Sequence, residues 1–127
     1  NLKNIHILMA EDNPINQLMA TEMLTQEGAT TTVVPNGLEA LNALEKQNFD
    51  IILMDCELPD ESGFEATRRI RTYEKCRSPQ QLPIIIIALT AYDDESNRQQ
   101  SIDAGMDDYL TKPINLIQLT SIIDKNS

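Results

Sequence analysis

The sequence predicts an α/β domain built on a parallel sheet, and three observations predict it. Short apolar runs alternate with helix-like stretches five times along the 127 residues. Two of the runs, Ile51 to Met54 and Ile84 to Leu89, contain no polar residue, as expected of strands covered on both faces. Polar residues able to do chemistry stand just after four of the five runs: Glu11 and Asp12, Asp55, Thr90, and Lys112. In an open parallel sheet, residues past the carboxyl ends of the strands converge on one crevice.

Taken in order, the first strand, Asn4 to Met9, leads to a helix starting near Pro14. Asn13 suits the N-cap and Pro14 the first turn, since proline lacks the N–H that a helix start leaves unbonded. Helical spacing turns Met19, Met23 and Leu24 inward with Ala20, and leaves Ile15 and Leu18 on the outer edge beside Glu22. Gly28 ends the helix. The second strand, Thr30 to Val34, is followed by a turn at Pro35, Asn36 and Gly37. A helix from Leu38 to Lys46 then puts Leu38, Leu41 and Leu44 on one side. After the third strand comes a loop with Pro59 and Gly63, then a helix from Phe64 to Tyr73. Glu74 to Pro83 is polar and reads as a long loop. The fourth strand belongs inside the sheet. Asp94 to Ala104 form a helix stopped by Gly105, Tyr109 and Leu110 a short fifth strand, and Asn115 to Asp124 the last helix.

Length supports a single domain over residues 1–127. No run approaches the roughly 18 apolar residues of a membrane span, and no leader pattern precedes the first strand. The abrupt start reads as an excised domain or a short stand-alone protein. A formal charge of −10 argues against nucleic-acid binding, and nothing points to membrane contact by this domain. Cys56 and Cys76 lack metal-ligand spacing and read as free thiols, which suits a cytoplasmic setting.

The strand-end residues have a joint chemical use. Carboxylates hold a hard divalent cation, a carboxylate can attack phosphorus to form an acyl phosphate, and a hydroxyl with an ammonium can stabilise phosphoryl oxygens.

Five stretches together carry a resemblance: Ile7 to Asn16, Met54 to Pro59, Gly63 to Thr67, Ala88 to Ala91 and Ala104 to Ile114. In order and spacing they resemble the receiver domain of two-component response regulators from end to end. The wording of the first and last is similar to receivers of hybrid sensor histidine kinases. The resemblance implies a doubly wound, flavodoxin-like sheet in the order 2-1-3-4-5. It makes Asp55 the phosphoacceptor for a histidine kinase or histidine phosphotransfer domain. Asp12 would bind Mg2+ (or Mn2+) directly and Glu11 mainly through a metal-bound water, with Asp55 and the backbone carbonyl of Glu57 completing the protein ligands. Lys112, aimed by a cis peptide to Pro113, would pair with Asp55 and then with the phosphoryl group. Thr90 would bond a phosphoryl oxygen, and Tyr109 would be the switch aromatic. Ile15 and Leu18 would form part of the docking patch for the donor.

Such a domain catalyses its own phosphorylation and dephosphorylation without being a turnover enzyme. The parent chain would be a histidine protein kinase, with an inner-membrane anchor allowed; a stand-alone regulator is the alternative. Leu58 to Gly63 departs from the family's usual Met-Pro-x-Met-Asp-Gly, chiefly at Glu61 and Ser62, which alters the loop surface and leaves the chemistry intact. A haloacid-dehalogenase-like phosphatase also uses an Asp nucleophile, and Asp55 and Glu57 have its Asp-x-acid look. There, however, the nucleophile follows the first strand, and here the acidic pair comes first. His6, the only histidine, reads as structural.

Overall fold

Five strands, β1 (His6–Ala10), β2 (Thr30–Val34), β3 (Ile51–Asp55), β4 (Ile85–Thr90) and β5 (Asp108–Thr111), form one parallel sheet in the order β2-β1-β3-β4-β5. The computed structural model describes residues 3–59, 62–76, 84–91, 95–112 and 114–126. The helices are α1 (Pro14–Gln26), α2 (Gly37–Lys46), α3 (Gly63–Cys76), α4 (Glu95–Ala104) and α5 (Leu116–Asn126). None of the described helices is long and apolar enough to cross a membrane.

Two cores sandwich the sheet, and the two-residue period of a strand sorts side chains between them. Leu8 and Ala10, Ile52 and Met54, and Ile86 and Ala88 face Ala40 and Leu44 of α2 and Ala66 and Ile70 of α3. Their neighbours Ile7 and Met9, Ile51 and Leu53, and Ile87 and Leu89 face Ala20 and Leu24 of α1 and Leu119 and Ile123 of α5. Each fully buried leucine or isoleucine contributes roughly 1.5–3 kcal/mol over exposure, so the central strands β1, β3 and β4 dominate stability. From β1 the chain winds outward to β2, then crosses back to β3 on the other side. The crevice at this reversal lies at the carboxyl ends of β1 and β3.

Several ends differ from expectation for identifiable reasons. Asn4 has φ of 69°, a left-handed conformation that starts β1 only at His6. β4 runs to Thr90, so that residue belongs to the strand. Helix α3 continues to Cys76 instead of stopping at Tyr73. The rest of the expected long loop, 77–83, lies outside the described residues. Met19 is exposed and not inward: Ala20 and Leu24 are the buried residues of α1. Leu38 is likewise exposed, while α2 buries Gly37, Ala40 and Leu44. Cys56 is buried, Cys76 is exposed, and both are free thiols. His6 packs its ring 4.3 Å from that of Phe49 and pairs with Thr32, a structural role.

The extra turn of α3 is held from afar. Arg71 donates to the carbonyls of Gly105 and Ile84 and to the carboxylates of Glu74 and Asp107, each at 2.8–2.9 Å. The two carboxylates in turn accept backbone N–H groups, Glu74 from Ile84 and Asp107 from Ile86. Helix α4 is held more lightly, since its buried residues are only Ser101 and Ala104.

Candidate functional site

The site begins where β1 ends. The N–H of Glu11 donates to Val34 O, extending the ladder one residue beyond the strand and leaving Glu11 only 1% exposed. Asn13 caps α1 as expected, accepting from the N–H groups of Ile15 and Asn16. The N–H of Asn13 donates back to Glu11 Oε1 at 3.1 Å, and Asp12 is left exposed between them.

Asp55 closes β3 and is 3% exposed. Its Oδ1 accepts the Glu57 N–H at 2.9 Å, and its Oδ2 accepts from Lys112 Nζ at 2.9 Å. Lys112 follows β5 and is tied to the end of β4 by its own N–H, which donates to Thr90 O at 2.8 Å. Its ammonium also lies 3.2 Å from Glu11 Oε2. Gly63, the first residue of α3, clamps the loop after Asp55. Its N–H donates to Cys56 O, and a Cβ there would overlap the Asp55 carbonyl oxygen. Only glycine permits this close approach.

Ligand atoms of Glu11, Asp12 and Asp55 lie within 4.8 Å of one another, against one nearby ammonium among the described residues. Glu11 Oε2 is buried, and among the described residues its one polar neighbour is the Lys112 ammonium 3.2 Å away, which it shares with Asp55. A buried oxygen left in that state, among converging carboxylates, fits a hard divalent cation. Electrostatics reflect the crowding. Burial, reinforced by Asp55 and opposed by the Asn13 N–H and Lys112, raises the Glu11 carboxyl above its ordinary range. Burial alone would lower the Lys112 ammonium, but Asp55 and then Glu11 outweigh it and raise the value overall. The Cys56 thiol is pushed up to about 12, first by burial and next by the Asp55 charge.

Asp55, Thr90 and Lys112 line one cleft of about 240 Å³ together with Glu57, Phe64 and Asn97. Thr90 is 5% exposed, and its Oγ1 accepts from Asn97 Nδ2. Glu57 is exposed. Tyr109 does not line that cleft among the described residues. It is half-buried against the core on the α2–α3 face, with the Arg98 guanidinium 5.2 Å from its ring centre. Pro113, on which the expected cis peptide depends, lies outside the described residues. Ile15 and Leu18 are 68% and 61% exposed on α1, and Met19 extends their patch. Sequence reasoning missed Asn97 and Arg98, which stand on a polar helix with no local signal. It also passed over the packing role of Gly63, which it named as a loop residue and as part of the family resemblance.

A model of the response regulator receiver domain matches residues 7–124. Sensor protein GacS of Pseudomonas syringae pv. syringae is 40% identical over 119 residues, covering 94% of this chain and 13% of that protein. The chain thus spans a small part of that relative's length. Among solved structures, the receiver domain of sensor histidine kinase PA1611 from Pseudomonas aeruginosa is 41% identical with a TM-score of 0.82 over 95% of each chain. It holds a magnesium ion in its active-site cleft. The receiver domain of Ssk1 from Saccharomyces cerevisiae, solved with the histidine phosphotransfer protein Ypd1, is 36% identical with a TM-score of 0.88 over 97% of this chain and 88% of that one. With the family matched over nearly its whole length and the acids gathered at the switch point, the chain belongs to the receiver domains of two-component phosphorelay signalling.

Proposed function

We propose that Asp55 accepts a phosphoryl group from a phosphohistidine on a histidine kinase or histidine phosphotransfer domain. The carrying observation is the meeting of a buried carboxylate, an ammonium 2.9 Å away and two further acids at one strand end. An Asp55 carboxylate oxygen bonds to phosphorus as the bond from phosphorus to the imidazole nitrogen breaks; that nitrogen keeps the electron pair, and the imidazole, already protonated on its other nitrogen, leaves neutral. Lys112 offsets charge on the phosphoryl oxygens, and the Thr90 hydroxyl donates to one of them.

Mg2+ (or Mn2+), when bound, neutralises charge during the transfer. Asp12, Asp55 and the Glu57 carbonyl would hold it directly and Glu11 largely through water. The buried Glu11 oxygen, which shares its one neighbouring ammonium with Asp55, supports this assignment, as does the magnesium ion of the PA1611 receiver. Tyr109 serves as the switch aromatic, altering the surface around α4, β5 and α5 when Asp55 is loaded. The likeness to sensor histidine kinases such as GacS, and to a hybrid signal transduction histidine kinase of Dictyostelium discoideum, supports a hybrid sensor histidine kinase as the parent chain.

The donor docks on α1 at Ile15 and Leu18, beside the cleft; the phosphotransfer partner of the Ssk1 receiver supports a donor of that kind. Leu18→Ala should weaken donor binding by about 1–2 kcal/mol, the level of a moderate interface anchor. Labelling by acetyl phosphate, a small donor, should be unchanged.

Incubation with acetyl phosphate and Mg2+ tests the central assignment. One base-labile adduct should form, and it should vanish with EDTA or in Asp55→Asn. Undiminished labelling of that variant would sink the proposal.

A further inference from the structure

A polar side chain from the lightly held helix α4 reaches the site. Asn97 Nδ2 donates to Thr90 Oγ1 at 3.4 Å, and Asn97 lines the same cleft as Asp55 and Lys112. Its turn of helix is fastened by the buried Ser101, whose Oγ donates to Asn97 O at 2.8 Å. Asn97 is therefore presented to Thr90 from a fixed turn.

A hydroxyl has one hydrogen and two lone pairs. A donor occupying one lone pair turns the hydrogen away from itself. An acceptor at the same place would compete for that hydrogen with any oxygen bound at Asp55. The 3.4 Å separation is longer than the usual 2.7–3.2 Å or so, so the bond can stretch or shift at little cost as Thr90 adjusts.

We infer that Asn97 is a positioning residue for Thr90: its amide orients the hydroxyl to donate toward a phosphoryl oxygen on Asp55 and links the loading of Asp55 to α4. The inference rests on the Asp55 reading above. Because α4 buries only the small residues Ser101 and Ala104, little apolar packing opposes a shift of the helix when this bond changes.

The test is the rate of Mg2+-dependent labelling by acetyl phosphate in the unaltered chain, Asn97→Ala and Asn97→Asp, each repeated with Thr90→Val. Asn97→Ala should slow labelling about two- to tenfold, the span of one ordinary hydrogen bond. Asn97→Asp should slow it further, since a carboxylate would take the Thr90 hydrogen and add negative charge to the cleft. With Thr90→Val in place, Asn97→Ala should have no further effect, because the partner it positions is gone. A purely structural role would give the same slowing in both backgrounds. Alanine suits a helix interior, and matching thermal melts would show that the fold is kept.

Equal rates for Asn97→Ala and the unaltered chain would overturn the inference. So would Asn97→Asp labelling as fast as the unaltered chain, or an undiminished Asn97→Ala effect beside Thr90→Val. Those results leave Asp55 as acceptor. Labelling that survives Asp55→Asn overturns that reading and this inference with it.

Discussion

At the amino ends of β4 and β5 and at the carboxyl ends of β1, β3 and β5, the chain builds two clusters from similar ingredients. The first sets Arg71 between Glu74 and Asp107, and every polar group named in it has a partner. The second sets Lys112 among Glu11, Asp12 and Asp55, so that among the described residues one ammonium is shared by the buried oxygens of Glu11 and Asp55, and the Glu11 carboxyl is raised. Charge alone does not separate a brace from a reactive centre. What separates them is satisfaction: a saturated network holds elements in place, whereas an under-satisfied one is poised to take a ligand.

The largest effect should come from breaking the saturated cluster. Arg71→Met strands two carboxylates and the carbonyls of Ile84 and Gly105, and should cost roughly 2–4 kcal/mol in urea unfolding. Labelling of the folded fraction at Asp55 should persist. Alkylation of Cys56 offers a second readout, because its buried, high-value thiol reacts only when the fold opens, whereas Cys76 is exposed. A cost well below 1 kcal/mol, as for an ordinary surface ion pair, would erase the contrast between the clusters.

The under-satisfied cluster should instead respond to cation. Mg2+ at ten to a hundred times its dissociation constant should stabilise the fold by about 1.4–2.7 kcal/mol. The pH dependence follows from Glu11. Its carboxyl is raised from an ordinary 4.5, so the metal-free chain loses stability as pH rises from that value through the raised one. Mg2+ needs the ionised form, so its stabilisation is full above the raised value and fades as pH falls through it. Melting curves with Mg2+ and with EDTA across this range measure both slopes. A Mg2+ effect independent of pH would place the cation elsewhere.

The smallest effect is the opposite in sign to that of Arg71→Met. Glu11→Gln removes a crowded buried charge and keeps an oxygen for the Asn13 N–H. In EDTA it should gain about 0.5–1 kcal/mol, while the Mg2+ response shrinks. Destabilisation in EDTA would mean that Glu11 is a structural partner of Lys112.

The same contrast explains what was legible in the sequence. Asp55 and the Glu11–Asp12 pair stood out because charge at the end of an apolar strand has few structural uses, and Asn13 already accounted for the cap of α1. The strands were legible from their apolar runs, and the sheet order from the family resemblance. The last turn of α3 was not, because Arg71 finds Ile84, Gly105 and Asp107 only after folding, and Glu74 read as loop. Met19 was misplaced because Ile15, Leu18 and Met19 all fit one helical stripe, and only the area α1 covers decides which are buried. Asn97 gave no signal, since a polar residue on a polar helix looks solvated until Thr90 is set beside it.

The most direct test of the account locates the phosphoryl group itself. Borohydride reduction of the chain labelled by acetyl phosphate and Mg2+ turns an aspartyl phosphate into homoserine, which peptide mass spectrometry assigns to a position. Homoserine is expected at Asp55 and at no other carboxylate of the cluster. Reduction products at Asp12 or Glu11, or label retained on His6, would contradict it.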